Sequence, residues 1–286
     1  MTNSVTKTLA RTIAKPIEIS DVGIHSGQKI TMKLMPATEN TGIVFRKKNN
    51  IEIAALYSNV TSTTMNTSIT SSCGKHHIGT IEHLMSALYA CQISDLLIEI
   101  DGDEVPVMDG SAIEFYNLIK PEVVLLGGTI KTIKILKRVF VEENNASAEF
   151  LPDDHFSVHM EIDFPHEAIG NQKLYFDELE HDFGKEIAAA RTFGFLKEFE
   201  YLQAKGLAKG GSLKNAIVLD DKKILNQEGL RFANEFVRHK ILDAVGDLFL
   251  AGHPIKAKFN GKKSGHRLNN ILLRRLFLDK NNYILV

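Results

Sequence analysis

Leu126-Gly127-Gly128 divides the sequence into two stretches that repeat one pattern. Paired glycines after the apolar run Val123-Val124-Leu125-Leu126 mark a break in regular structure. Before them, alternating apolar residues predict strands over 7–14, 29–35 and 43–46. The loop Gly23-Ile24-His25-Ser26-Gly27 turns the chain between the first two. Gly79-Thr80 opens a helix, with Thr80 as N-cap and an apolar stripe of Ile81, Leu84, Met85 and Leu88. A strand follows over 95–100. Ser111 then caps a helix that runs to 119 and is stopped by Pro121. After Gly128 the strands restart, over 129–141, 147–151 and 156–164. A helix is expected over 195–205, with Gly206 as its stop, and a strand over 216–220. The longest helix spans 234–251 and is closed by Gly252 and Pro254; a strand over 255–259 and a helix over 266–278 complete the chain. Each half therefore reads strands, helix, strand, helix. The fold class is α+β, as two similar domains over 1–127 and 129–286. No direct sequence repeat accompanies the repeated pattern.

Composition narrows the function classes. The 286 residues are enough for two ordinary domains. An apolar content of 44% supplies enough buried surface to offset chain entropy, which excludes a disordered chain. Lys plus Arg number 34 against 35 Asp plus Glu, so the basic excess of a nucleic-acid binder is missing. The apolar runs are too short to span a bilayer, and the first ten residues hold no apolar core of a signal peptide. Cys73 and Cys91 are too few for a disulfide framework. A cytoplasmic monomer, with no nucleic-acid partner and no transmembrane segment, is the expectation. The unusual feature is 11 histidines, several beside acidic residues.

On the longest helix, His239 and Asp243 are four residues apart, so both can reach one cation. Imidazole with carboxylate suits zinc. Taken alone, such a pair is more often a surface feature of an amphipathic helix. His83, at the start of an earlier helix, is a candidate third ligand. Its neighbour Glu82 lies about 100° around that helix, placed as a general base rather than a ligand. Alone, Glu82 reads better as an acid favoured by the helix dipole. His266 begins the last helix after Lys262, Lys263 and Gly265, a setting that favours anions. Thr192, after Ala188-Ala189-Ala190-Arg191, is a candidate cap or oxyanion donor. Combined, two imidazoles and one carboxylate leave a fourth zinc position open, which is the count of a catalytic site.

Several longer segments carry a resemblance. They are Gly23-Ile24-His25-Ser26-Gly27, Thr80-Ile81-Glu82-His83-Leu84-Met85-Ser86-Ala87-Leu88 and Glu104-Val105-Pro106-Val107-Met108-Asp109-Gly110-Ser111-Ala112. Ala190-Arg191-Thr192-Phe193-Gly194-Phe195, residues 206–212, residues 226–250 and Lys263-Ser264-Gly265-His266-Arg267-Leu268-Asn269-Asn270 join them. Together they resemble the UDP-3-O-acyl-N-acetylglucosamine deacetylase family, zinc amidases of Gram-negative bacteria that commit the cell to lipid A synthesis. The resemblance implies two α+β domains, each a sheet with helices on one face, and a site between them. It implies His83, His239 and Asp243 as Zn2+ ligands, Glu82 as general base and His266 as general acid or electrostatic partner. Thr192 matches the oxyanion group and Asp247 the residue that orients the histidine. Lys240, Phe193 and Phe195 fall where the family contacts the sugar nucleotide or acyl chain, and Phe193, Phe195 and Leu207 are expected to wall that chain. Glu198 matches the diphosphate or uridine region. Phe164, in Asp163-Phe164-Pro165, matches the uridine-side loop, although Pro165 and Glu167 depart from the family pattern. A zinc amidase with another substrate and a non-catalytic sugar-nucleotide binder remain as alternatives; the presence of Glu82 argues against the second.

Overall fold

The computed structural model describes residues 8–199 and 208–286. One sheet in each half organises the chain. In the first half the strand order is Ile17–Val22, Lys29–Pro36, Leu96–Ile100, Ile43–Lys47, Ile51–Ala54. In the second it is Val139–Glu143, Ala146–Pro152, Ile255–Lys262, Phe156–Asp163, Asn171–Asp177. The two orders correspond strand for strand. In both, the third and fourth strands run parallel and every other pair on this path is antiparallel. A parallel neighbour cannot be reached by a hairpin and requires a long crossover. Each crossover contains a helix: Glu82–Ala90 in the first half, Glu235–Phe249 in the second. A shorter helix, Ile113–Ile119, and the helix His266–Leu278 follow the central strands in turn. The fold is α+β. Ile133–Ile135 and Tyr283–Leu285 extend the second sheet.

The alternation that predicts the strands is the alternation of burial. Lys29–Pro36 buries Ile30, Met32 and Leu34 and turns the residues between them outward. The inner faces of both sheets and these four helices join one continuous apolar core. The crossover helices meet each other at close range. A Cβ added at Gly246 would lie 2.0 Å from the carbonyl oxygen of Glu82, so only glycine allows this approach.

Several expectations need correction. Leu126-Gly127-Gly128 is no loop. It lies inside the strand Val123–Ile130, which pairs antiparallel with Thr8–Ile13. Gly128 leaves room there for Glu39, whose carboxylate accepts from its N–H at 2.6 Å. The stretch 129–141 is not one strand but parts of Val123–Ile130, Ile133–Ile135 and Val139–Glu143. Thr80 does not cap its helix: it has a φ of 55°, and the helix starts at Glu82 without a side-chain cap. Ser111 lies one residue before the N-cap of Ile113–Ile119, which is Ala112, although its hydroxyl accepts from the N–H of Ile113 at 3.2 Å. Phe195 ends the short strand Phe193–Phe195 instead of starting a helix. Residues 196–199 are helical; the rest of the expected 195–205 helix, its stop Gly206 and the wall residue Leu207 lie outside the described residues, as does Lys7. Ile17–Val22, Ile51–Ala54, Asn171–Asp177, Tyr283–Leu285 and the small sheet of Val60–Ser62, Ser68–Thr70 and His77–Ile78 were not anticipated. Among the described residues no helix is long and apolar enough to cross a membrane.

Candidate metal centre

The seam between the two crossover helices collects the chemistry. His83 projects from the first turn of Glu82–Ala90, and His239 and Asp243 from successive turns of Glu235–Phe249. All three are 5% exposed or less, and one donor atom of each lies within 4.8 Å of the others. Asp243 Oδ1 is 3.3 Å from His239 Nε2 and 3.6 Å from His83 Nε2, and it accepts no hydrogen bond. A buried carboxylate oxygen without a donor is costly unless a cation meets it. Its other oxygen accepts from the Lys240 ammonium at 2.8 Å. Burial opposes the charge of Asp243, but the Lys240 ammonium beside it holds its carboxyl well below the usual range. Burial drives His239 down to about 3, so its ring is neutral. The His239 Nδ1–H donates to the carbonyl of Ala190 at 3.0 Å, which leaves the Nε2 lone pair facing the cluster.

Two titratable groups flank this cluster. Glu82, buried at 3% exposure, accepts the main-chain N–H of Thr67 at 3.0 Å. Burial raises its pKa against the opposing pull of His266 and His83. His266 Nε2 lies 4.0 Å from Glu82 Oε1. Its Nδ1 pairs with Asp247 Oδ2 at 2.9 Å. Burial lowers the pKa of His266, but Asp247 outweighs it and the result is about 9. The N-terminal end of a helix disfavours a cation by up to about 1 kcal/mol. The contact with a buried carboxylate is the stronger effect here. Asp247 is itself held by the Asn269 amide at 2.9 Å and the Thr67 hydroxyl at 2.5 Å.

Thr192 sits two residues beyond the carbonyl that orients His239. Its N–H donates to Gly110 at 2.7 Å, and its carbonyl accepts from Ile217 at 2.8 Å. Arg191, just before it, is clamped by Glu235 through its main-chain N–H and its guanidinium, both at 2.9 Å. Phe164, Phe193 and Phe195 form a half-buried aromatic group: Phe164 packs 5.5 Å from Phe193 and 6.3 Å from Phe195. Phe193 also lies edge-on to the His239 ring at 6.2 Å, and the Lys240 ammonium stands 5.7 Å over it. The group is thus continuous with the cluster. Glu198 is exposed, and none of the described contacts ties it to these rings. Sequence reasoning missed Thr67, Asn269 and the Ala190 carbonyl. A carbonyl carries no residue signature, and Thr67 reaches Asp247 across 180 positions.

Two buried imidazoles and one carboxylate with a bare oxygen form a group that could hold a metal ion, with a buried glutamate and a histidine alongside, and the chain falls among the deacetylases. The chain belongs to the LpxC family, UDP-3-O-acyl N-acetylglycosamine deacetylase, whose model matches residues 10–278. It is 45% identical over 276 residues to a UDP-3-O-acyl-N-acetylglucosamine deacetylase of Vibrio parahaemolyticus, which covers 94% of this chain and 90% of the relative. The enzyme of the same name from Vibrio cholerae matches equally, at 45% over 276 residues. That of Syntrophus aciditrophicus is 43% identical over 277 residues, 96% of this chain and 87% of the relative.

Proposed function

We propose that this protein hydrolyses the acetamide of UDP-3-O-acyl-N-acetylglucosamine, releasing acetate and leaving a free amine, with one zinc ion held by His83, His239 and Asp243. The observation that carries this is the bare Asp243 Oδ1 facing the Nε2 atoms of His83 and His239, with Glu82 and His266 beside them. The set fits zinc, which takes nitrogen and oxygen donors and keeps a position open in catalytic sites. Bound there, zinc would polarise the acetyl carbonyl and acidify the attacking water. Glu82 takes the proton from that water. The Thr192 hydroxyl donates to the developing oxyanion, an interaction worth about 3 kcal/mol. His266, cationic through Asp247, donates to the leaving amine or stabilises the charge while Glu82 carries the proton. Lys240 and the aromatic group formed by Phe164, Phe193 and Phe195 receive the nucleotide and acyl parts of the substrate; Glu198 contacts the diphosphate side. The two domains are read as 1–127 and 129–286, the division falling inside the strand Val123–Ile130, and the protein acts as a cytoplasmic monomer.

Purified protein incubated with UDP-3-O-acyl-GlcNAc should yield a product lighter by one acetyl group in mass spectrometry. An intact substrate after prolonged incubation with zinc-replete protein would refute the reading. The metal assignment has its own check. His239→Ala should bind zinc far below one equivalent by elemental analysis, since a third of the donor set is gone; full occupancy would exclude His239 as a ligand.

The pH profile of kcat/KM should be bell-shaped. Glu82 must be ionised, so activity falls on the acid side, at a pH above the ordinary carboxylate range because burial raises this group. His266 must be protonated, so activity falls as pH passes about 9. His266→Gln should flatten or shift the basic limb with zinc content unchanged. If only the amplitude drops and the limb stays, the attacking water is the titrating group and His266 acts by position or charge.

A further inference from the structure

Thr67 lies just before the short strand Ser68–Thr70 and is 1% exposed. It touches both halves of the acid–base pair. Its N–H donates to Glu82 Oε2 at 3.0 Å, and its hydroxyl donates to Asp247 Oδ1 at 2.5 Å. Asp247 Oδ2 in turn holds His266 Nδ1 at 2.9 Å. Thr67, Glu82, His266 and Asp247 therefore form a ring, closed by hydrogen bonds except at one place. The opening is the 4.0 Å between Glu82 Oε1 and His266 Nε2, where a substrate atom exchanging protons with both would sit.

We propose that Thr67 is a positioning residue for the reaction: its N–H and hydroxyl tie Glu82 to Asp247 and so set the separation of Glu82 and His266. The inference rests on Glu82 and His266 being the proton-transfer pair. The two sides of the ring come from different halves of the chain, Glu82 from one crossover helix and Asp247 from the other. Among the described hydrogen bonds, Thr67 is bonded to both and to none of the three metal-ligand candidates. The hydroxyl has a second effect. It occupies the Asp247 oxygen that His266 does not use, so the carboxylate is fixed in rotation with Oδ2 toward the imidazole. Valine fills the same volume without the donor. It leaves Oδ1 of a buried carboxylate unpaired, with Oδ2 still held by His266 and Asn269.

The test compares Thr67→Val with Thr67→Ser in the zinc-loaded protein and in the metal-free protein. Groups that orient a reacting side chain from behind typically change activity 10–100-fold, so Thr67→Val should lower kcat by roughly that factor. KM and zinc content should stay near wild type. Thr67→Ser keeps the donor and should recover most of kcat. In metal-free protein, the His266 Nδ1 proton should move downfield in Thr67→Val, because Asp247 loses a competing donor, and should stay in place in Thr67→Ser. A kcat for Thr67→Val within twofold of wild type, an unmoved Nδ1 proton, or equal losses in the serine and valine variants would each overturn the proposal. A role confined to packing would lower Tm and leave the proton signal alone. Glu82→Ala and His266→Gln at wild-type kcat would instead refute the underlying proton-transfer reading.

Discussion

Glu82→Ala should lower kcat by about 10²–10⁴-fold, the usual worth of a placed general base. Zinc content should not change, because Glu82 contributes no donor to the cluster of His83, His239 and Asp243. Stability should hold or rise slightly. The side chain is buried with one described hydrogen bond, to the Thr67 N–H, and burial already works against its charge. Kinetics, elemental analysis and a melting curve separate the possibilities. Loss of zinc with activity would make Glu82 part of the metal shell, and unchanged turnover would reduce it to a helix-start acid.

A substrate without its 3-O-acyl chain should lose a comparable factor in kcat/KM. Each buried methylene contributes about 0.8 kcal/mol, so burying about five is worth roughly 4 kcal/mol, or about 10³-fold. The half-buried rings of Phe193 and Phe195 present apolar surface beside the cluster, with Phe193 in contact with the His239 ring. Binding energy gained there can orient the acetamide, so part of the loss should fall on kcat. Steady-state comparison of UDP-GlcNAc with its 3-O-acyl derivative decides it. Equal rates would mean that the chain is not recognised.

The metal cluster was legible because its residues sit on helices with clear apolar stripes. Four-residue spacing alone places His239 and Asp243 on one face. His83 could be nominated but not joined to them from spacing, since the meeting of the two helices depends on Gly246, whose role is visible only when Glu82 lies against it. The strand Ile17–Val22 does alternate, burying Ile17 and Ile19, but two residues of contrast are a thin signal. The small sheet around Ser68–Thr70 is rich in Ser, Thr and Asn and takes its shape from tertiary contacts, such as Asn66 donating to Thr80 at 3.1 Å. Thr80 looked like a cap by residue type. Its positive φ instead turns the chain so that Glu82 and His83 enter the seam. The repeat of the two sheets left no trace in residue identity, because pairing order is carried by backbone hydrogen bonds.

With the proposed ion held by His83, His239 and Asp243, the division of donors between the two crossover helices would couple metal affinity to the docking of the halves. His83 comes from one helix, and His239 and Asp243 from the other. Either half alone lacks the full set, so the ion can be held strongly only while the seam is closed. By mass action, ligand at 100 times its Kd would then stabilise the closed seam by about 2.7 kcal/mol. Removing the ion also leaves Asp243 Oδ1 buried and bare, which strains that same contact. Chelation should therefore show first in amide exchange along Glu82–Ala90 and Glu235–Phe249, while the outer strands of both sheets keep their protection.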